Sequence, residues 1–160
     1  MTSTISTLES LITANTRLTR IAAQRTGSTV NAVTWPTLAI LATDGPRRNG
    51  DLARAARISQ PGMTKILNQL IEDEWVSRIA DVDDSRAWLI KITVRGRAAL
   101  DAWRTELALA MEPLFDGLSD SEWEVLASAA AVLEARTRSA SIDPSGPFGA
   151  TALAGAPVLA

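Results

Sequence analysis

Apolar residues recur at three- and four-residue steps near the start of the chain, at Leu8, Leu11, Ile12, Leu18, Ile21 and Ala22. This spacing predicts a helix over residues 5–25 whose single stripe is interrupted by Asn15. The Gly/Ser/Thr/Asn-containing stretch over residues 24–31 reads as a loop. A second helix follows over Thr34–Thr43, carrying Trp35, Leu38, Ile40 and Leu41, with Pro36 in its first turn, where the missing N–H costs nothing. Asp44-Gly45-Pro46 stops it. A short helix over Asp51–Arg57 turns Leu52, Ala55 and Ala56 inward. Ser59 then caps a longer helix over Gln60–Asp73, with Met63, Ile66, Leu67, Leu70 and Ile71 as its apolar face. Only two or three residues separate these two helices, which forces a steep crossing.

From Trp75 the period changes to two. Val76 and Arg78 alternate with Ser77 and Ile79, and Trp88, Ile90 and Ile92 alternate with Leu89, Lys91 and Thr93. Two strands joined by the acidic turn Asp81–Ser85 are implied. Thr93 caps a long helix over residues 94–115, and Gly117 is placed to take the left-handed conformation after it. Ser119-Asp120-Ser121-Glu122 reads as a capping box, with Leu118 stapled onto Trp123, opening a last helix that reaches about Arg138. Residues 139–160 are rich in Gly, Pro, Ala and Ser, lack periodicity and are expected to form a mobile tail.

The sequence thus predicts a mainly α fold with a small two- or three-stranded β wing. A winged helix-turn-helix lobe over residues 32–93 is flanked by a helical dimerisation region over residues 5–25 and 94–138. In a helix-turn-helix the second helix enters the major groove. Its exposed residues are Ser59, Gln60, Gly62, Thr64, Lys65, Asn68 and Gln69. Lys suits guanine O6 and N7, and Asn or Gln suits adenine N6 and N7. A bland reading, that these are merely the solvent face of an amphipathic helix, loses ground to the tight turn before them and the hairpin after them.

Charge and composition narrow the chemistry. The 160-residue chain has a formal net charge of −2. Residues 47–97 nevertheless carry ten Lys/Arg against seven Asp/Glu, whereas residues 98–160 carry three against nine. A basic middle joined to an acidic end suits a DNA-contacting module with an interaction region, although so small an excess is also ordinary for a solvated surface. The chain holds neither Cys nor His. Disulfides, thiolate metal sites, the usual general base and the histidine pH switch are therefore excluded. No Gly-rich phosphate loop or GxSxG elbow occurs, so no catalytic residues, metal or cofactor are expected. Asp81-x-Asp83-x-Ser85 imitates half an EF-hand, yet Arg86 and Ile92 stand where calcium needs Gly and Glu. No apolar run reaches ~18 residues, and the N-terminus lacks a basic stretch before its apolar residues, so no membrane partner is expected and a cytoplasmic location is.

Over Asp81–Leu100 the segment DVDDSRAWLIKITVRGRAAL resembles the wing signature of the MarR-type winged-helix regulators, with Asp81, Asp84, Arg86, Leu89, Thr93 and Gly96 in register. Looser similarity extends through Leu52-Ala53, Ser59 and Thr64-Lys65. The resemblance implies that Arg86 lies at the wing tip and reaches the minor groove, and that Asp84 pairs with a nearby arginine to hold the wing. It further implies a homodimer on a pseudo-palindromic double-stranded DNA site, acting as a repressor released by a small aromatic or lipophilic effector. The effector's pocket would fall near Trp35 and Trp103, although core packing is the commoner role of such residues. The sequence departs from the family pattern at Val94, where Pro is common, at Ser85, where a first Arg is common, and at Glu74-Trp75, where Gly-Leu usually ends the recognition helix and an altered cap is expected. The alternative of another class is a winged-helix protein-interaction module without DNA binding, which would not need Lys65, Asn68 and Arg86 free at the surface.

Overall fold

The structure is a computed structural model that describes residues 3–27, 33–82, 84 and 87–138. Ser85, Arg86, residues 28–31 of the first expected loop and the expected tail over residues 139–160 lie outside the described residues.

Helix α1 spans Thr4–Thr26, so it runs on through residues expected to form a loop. The Thr26 hydroxyl donates to the carbonyl of Ala22, and the helix closes at Gly27 with φ 55°, a conformation that glycine adopts without Cβ strain. Helix α2 spans Thr34–Thr43 and the two-residue strand β1 spans Arg47–Arg48. Helix α3 occupies Asn49–Ala55, two residues earlier than its spacing predicts. Arg57 takes φ 54°, and the amides of Arg57 and Ile58 donate back to the carbonyls of Arg54 and Ala53. This left-handed cap ends the short helix before Arg57 and turns the chain into α4, Gln60–Glu72. Leu52 and Ala53 are the buried residues of α3, whereas Ala55 and Ala56, expected to turn inward, are only half-buried, Ala56 lying past the helix as its cap.

Strands β2 (Val76–Ala80) and β3 (Trp88–Ile92) form an antiparallel hairpin, and β1 adds to the free side of β3 in the order β1-β3-β2. Helix α5 covers Val94–Met111, and residues 112–115 tighten into a 3-10 turn instead of continuing it. Pro113 supplies no N–H for the next helical bond, which accounts for the change. Gly117 takes φ 86° as its position predicts. Helix α6, Asp120–Arg138, begins with the predicted box, in which the Ser119 amide donates to Glu122 Oε2 at 2.8 Å.

The core lies within the winged lobe. Leu38 and Leu41 of α2, Leu52 and Ala53 of α3, Met63, Leu67 and Leu70 of α4, Val76, Ile90 and Ile92 of the sheet and Leu100 of α5 are buried together. Helix α1 packs along α5, and Arg25 Nη1 donates to the Ala110 carbonyl at 2.8 Å, near the C-terminal end of α5, where a cation is favoured. By contrast Ile5, Leu8 and Ile12 of α1 stand exposed, as does every residue of α6 from Asp120 to Thr137. No helix among the described residues is long and apolar enough to cross a membrane.

Candidate nucleic-acid interface

Helix α4 divides its residues between core and solvent as its period dictates. Met63, Leu67 and Leu70 anchor the inner face, and Gln60, Thr64, Lys65, Asn68 and Gln69 stand on the outer one. Ser59 caps the helix by accepting the Gly62 amide at 3.2 Å, so these two residues fix its first turn. The Gln60 amide group lies against α3, where a Cβ on Gly50 would come within 2.9 Å of Nε2.

The outer face is not uniformly available. Thr64 donates its hydroxyl to the Gln60 carbonyl at 2.9 Å and accepts Asn49 Nδ2 at 2.8 Å, so its hydrogen is already engaged. Asn68 accepts Arg78 Nη2 at 3.0 Å through Oδ1, which leaves its amide hydrogens to offer. Paired reading of adenine needs an acceptor and a donor together, so Asn68 reads adenine in that way only if Arg78 lets go. Gln69 donates to Asp73 at 3.3 Å. Lys65 is exposed and has no ion pair or hydrogen bond among the described residues, which leaves its ammonium to approach a duplex unhindered.

An arginine within reach of Asp84 is Arg48 of β1, at 3.7 Å. The same guanidinium donates Nε and Nη2 to Asp81 Oδ2 at 2.9 and 2.6 Å. Those hydrogen bonds, followed by the Coulomb attraction of Asp81, hold Arg48 above the usual arginine pKa. Arg48 and Arg78 escaped the sequence reading. Arg48 meets its partner 33 positions away across a strand too short to show a period, whereas the alternation of Arg78 with Val76 in β2 was a usable signal.

Trp35 and Trp103 are brought together at the junction of α2 and α5. Their rings stack at 4.9 Å and 9°, and Trp75 stacks on Trp35 at 5.4 Å. The facing surfaces of Trp35 and Trp103 thus cover one another, while Trp35 Nε1 is buried without a hydrogen-bond partner. Among the described residues no group of three or more His, Cys, Asp or Glu could hold a metal ion.

With this geometry in view, residues 30–88 match the family model described as the MarR family. An uncharacterized HTH-type transcriptional regulator of Bacillus subtilis (strain 168), YpoP, is 29% identical over 89 residues, covering 56% of this chain and 63% of that protein. Over residues 30–88 the chain is similar to the MarR family. Its fold is similar to that of the transcriptional regulator Tm0710 from Thermotoga maritima, with TM-score 0.64 and 17% identity over 83% of this chain and 96% of the other. It is also similar to a point mutant of MepR from S. aureus bound to an oligodeoxyribonucleotide, with TM-score 0.54 and 19% identity over 84% and 99% of the two chains.

The lobe keeps its geometry where its sequence departs from the pattern of the family it resembles. Glu74, standing where Gly is usual, adopts φ 60°. The amides of Glu74 and Trp75 donate to the carbonyls of Ile71 and Leu70, so α4 closes with the left-handed cap that a glycine would have made, and the expected change of cap does not occur. Thr93 donates its hydroxyl to the Glu74 carbonyl at 2.6 Å and accepts the Gly96 amide at 2.9 Å. A Cβ on Gly96 would strike the Trp75 carbonyl oxygen at 2.0 Å. The Thr-x-x-Gly step of this chain therefore clamps the start of α5 onto the end of α4.

Proposed function

We propose that this chain is a sequence-specific double-stranded DNA-binding transcriptional regulator that acts as a homodimer. The observation that carries the reading is α4. Its inner face is locked into the core, while its outer face presents Lys65 unpaired and the amides of Gln60, Asn68 and Gln69, beside a three-stranded wing. Similarity in fold to a MepR mutant held on an oligodeoxyribonucleotide supports it.

Lys65 donates to a guanine edge, Gln60 and Asn68 meet neighbouring bases, and Arg86 reaches from the wing tip into the minor groove, where narrow A·T-rich DNA concentrates negative potential. Arg48 steadies the wing base by neutralising Asp81 and Asp84, whose charges would otherwise oppose an approaching phosphate. The exposed apolar residues of α1 and α6 pair two copies about a two-fold axis, setting two α4 helices on half-sites about one helical turn, 34–36 Å, apart. Occupancy of a promoter by this dimer represses it. A small aromatic or lipophilic effector at the Trp35–Trp103 junction, where an indole N–H lacks a partner, shifts the spacing of the two lobes and releases the DNA.

Selection of bound duplexes from a random pool, followed by titration at several salt concentrations, tests the reading. Affinity should fall steeply with salt, and Lys65→Ala should cost about 1–3 kcal/mol on the selected site and flatten its base preference. Absence of binding at low salt would favour a protein-interaction module instead.

A further inference from the structure

Between the outer face of α4 and the wing runs a seam lined by one face of the hairpin. Alternation sets Val76, Arg78 and Ala80 of β2 on this face, opposite Ile92, Ile90 and Trp88 of β3. Its inner end, Val76 with Ile92 and Ile90, is buried in the core. Its outer end carries Trp88, a large apolar side chain left 60% exposed. Arg78 stands between the two ends and reaches Asn68 of α4.

Two depressions meet at this point. One, about 250 Å³, is lined by Asn49, Thr64, Leu67, Arg78, Trp88 and Ile90. The other, about 480 Å³, is lined by Asn68, Ile71, Glu72, Val76, Ser77 and Arg78. Arg78 is common to both. Among the described residues the first is lined by no carboxylate, and Glu72 is the one acid lining the second.

We infer that this seam grips one sugar–phosphate strand of the duplex, with Arg78 donating to a phosphate and the Trp88 indole lying against the adjoining deoxyribose. The inference rests on the proposed DNA-binding function. A helix in the major groove and a wing in the neighbouring minor groove straddle the backbone between those grooves, so whatever lines the gap between helix and wing meets phosphate and sugar rather than base edges.

The side chains there have the chemistry this requires. Arg47, Arg48, Arg54, Arg95 and Arg104 are each paired with a carboxylate. Arg78 instead donates one N–H to a neutral amide oxygen, which orients the guanidinium without neutralising it and leaves most of its five donors for an anion. Trp88 offers an apolar ring that gains by being covered, and its partner across the strands is the small Ala80. Arg78 thereby serves twice, holding the Asn68 acceptor in the free protein and the backbone in the complex.

Anisotropy titrations of the full chain, on a selected site and on an unrelated duplex of equal length over a KCl series, test the inference. Arg78→Met should weaken binding to both duplexes about fivefold and make the slope of log affinity against log salt shallower by about one. Arg78→Lys should retain the slope, which separates loss of charge from loss of structure. Trp88→Ala should weaken both duplexes with the slope unchanged. An Arg78→Met protein with the wild-type slope, or one whose base preference changes at a single position while the unrelated duplex is unaffected, would overturn the inference. Failure of the unsubstituted chain to bind any duplex would overturn the regulator reading itself.

Discussion

Helices α4 and α6 both set large apolar residues at helical spacing, far more sharply segregated in α4, and meet opposite fates. In α4, Met63, Leu67 and Leu70 are at most 3% exposed, whereas in α6 Trp123, Leu126 and Leu133 are 46%, 41% and 42% exposed. Periodicity marks a face that must be covered but not what covers it. The lobe supplies its own cover, because α2, α3, α5 and the sheet surround α4 within the same chain. The arms do not, since α1 packs on α5 yet leaves Ile5, Leu8 and Ile12 exposed, and α6 is exposed from Asp120 to Thr137. Fully burying an exposed leucine is worth about 1.5–3 kcal/mol, and these half-covered ones leave only part of that unrealised.

The lobe's dependence on its internal fit is broken most severely at Gly96. Gly96→Ala forces a methyl into the Trp75 carbonyl, and denaturant unfolding should show a loss of about 3 kcal/mol or more, a large share of the stability of a domain of this size. The arms should respond differently. Leu126→Asp with Leu133→Asp should leave the cooperative unfolding of the lobe intact while weakening self-association about a hundredfold or more in sedimentation equilibrium. Loss of the lobe's transition would show that α6 belongs to its core after all.

Smaller effects sharpen the contrast. Glu74→Gly removes the strain of a left-handed non-glycine residue and should raise the lobe's stability by about 1 kcal/mol in thermal melts. Arg48→Ala should leave the melting transition little changed yet raise hydrogen exchange at the amides of Asp81 and Ala87, because the wing base loses the cation that ties it to β1. The smallest effect belongs to Glu122, whose carboxyl is held below its usual pKa by the Ser119 amide and then by the Ser119 hydroxyl. A depressed carboxylate stabilises at pH above its unfolded value and loses that contribution as pH falls through its folded value. The first turn of α6 should therefore loosen as pH falls below the ordinary glutamate range, and Glu122→Gln should abolish that pH dependence in the circular dichroism of the full chain.

Much of this architecture was legible along the chain. The α2, α4 and hairpin segments, the Ser59, Thr93 and Ser119 caps and the glycine turn at Gly117 rest on neighbours within four residues, and such signals survive in one dimension. The outer face of α4 followed from the inner one. What escaped depended on distant partners. A two-residue strand has no period, so β1 and the reach of Arg48 to Asp81 were invisible. Arg57 gives no compositional hint of the left-handed turn that shortens α3, and Glu74 keeps a glycine's conformation because Thr93 and the hydrogen bonds closing α4 hold its backbone there.

The sequence by itself therefore determined the order of elements, the apolar face of each helix and the residues α4 turns outward, because local spacing and capping decide these. Only the tertiary structure decided which polar groups on that face were already engaged, that three tryptophans would close on one another at the α2–α5 junction, and that Arg78 and Trp88 would share a seam with Asn68. Those relations arise from the register of β2 against β3 and from the packing of α4 against the sheet. Register and packing are properties of surfaces meeting in space, and no single segment carries them.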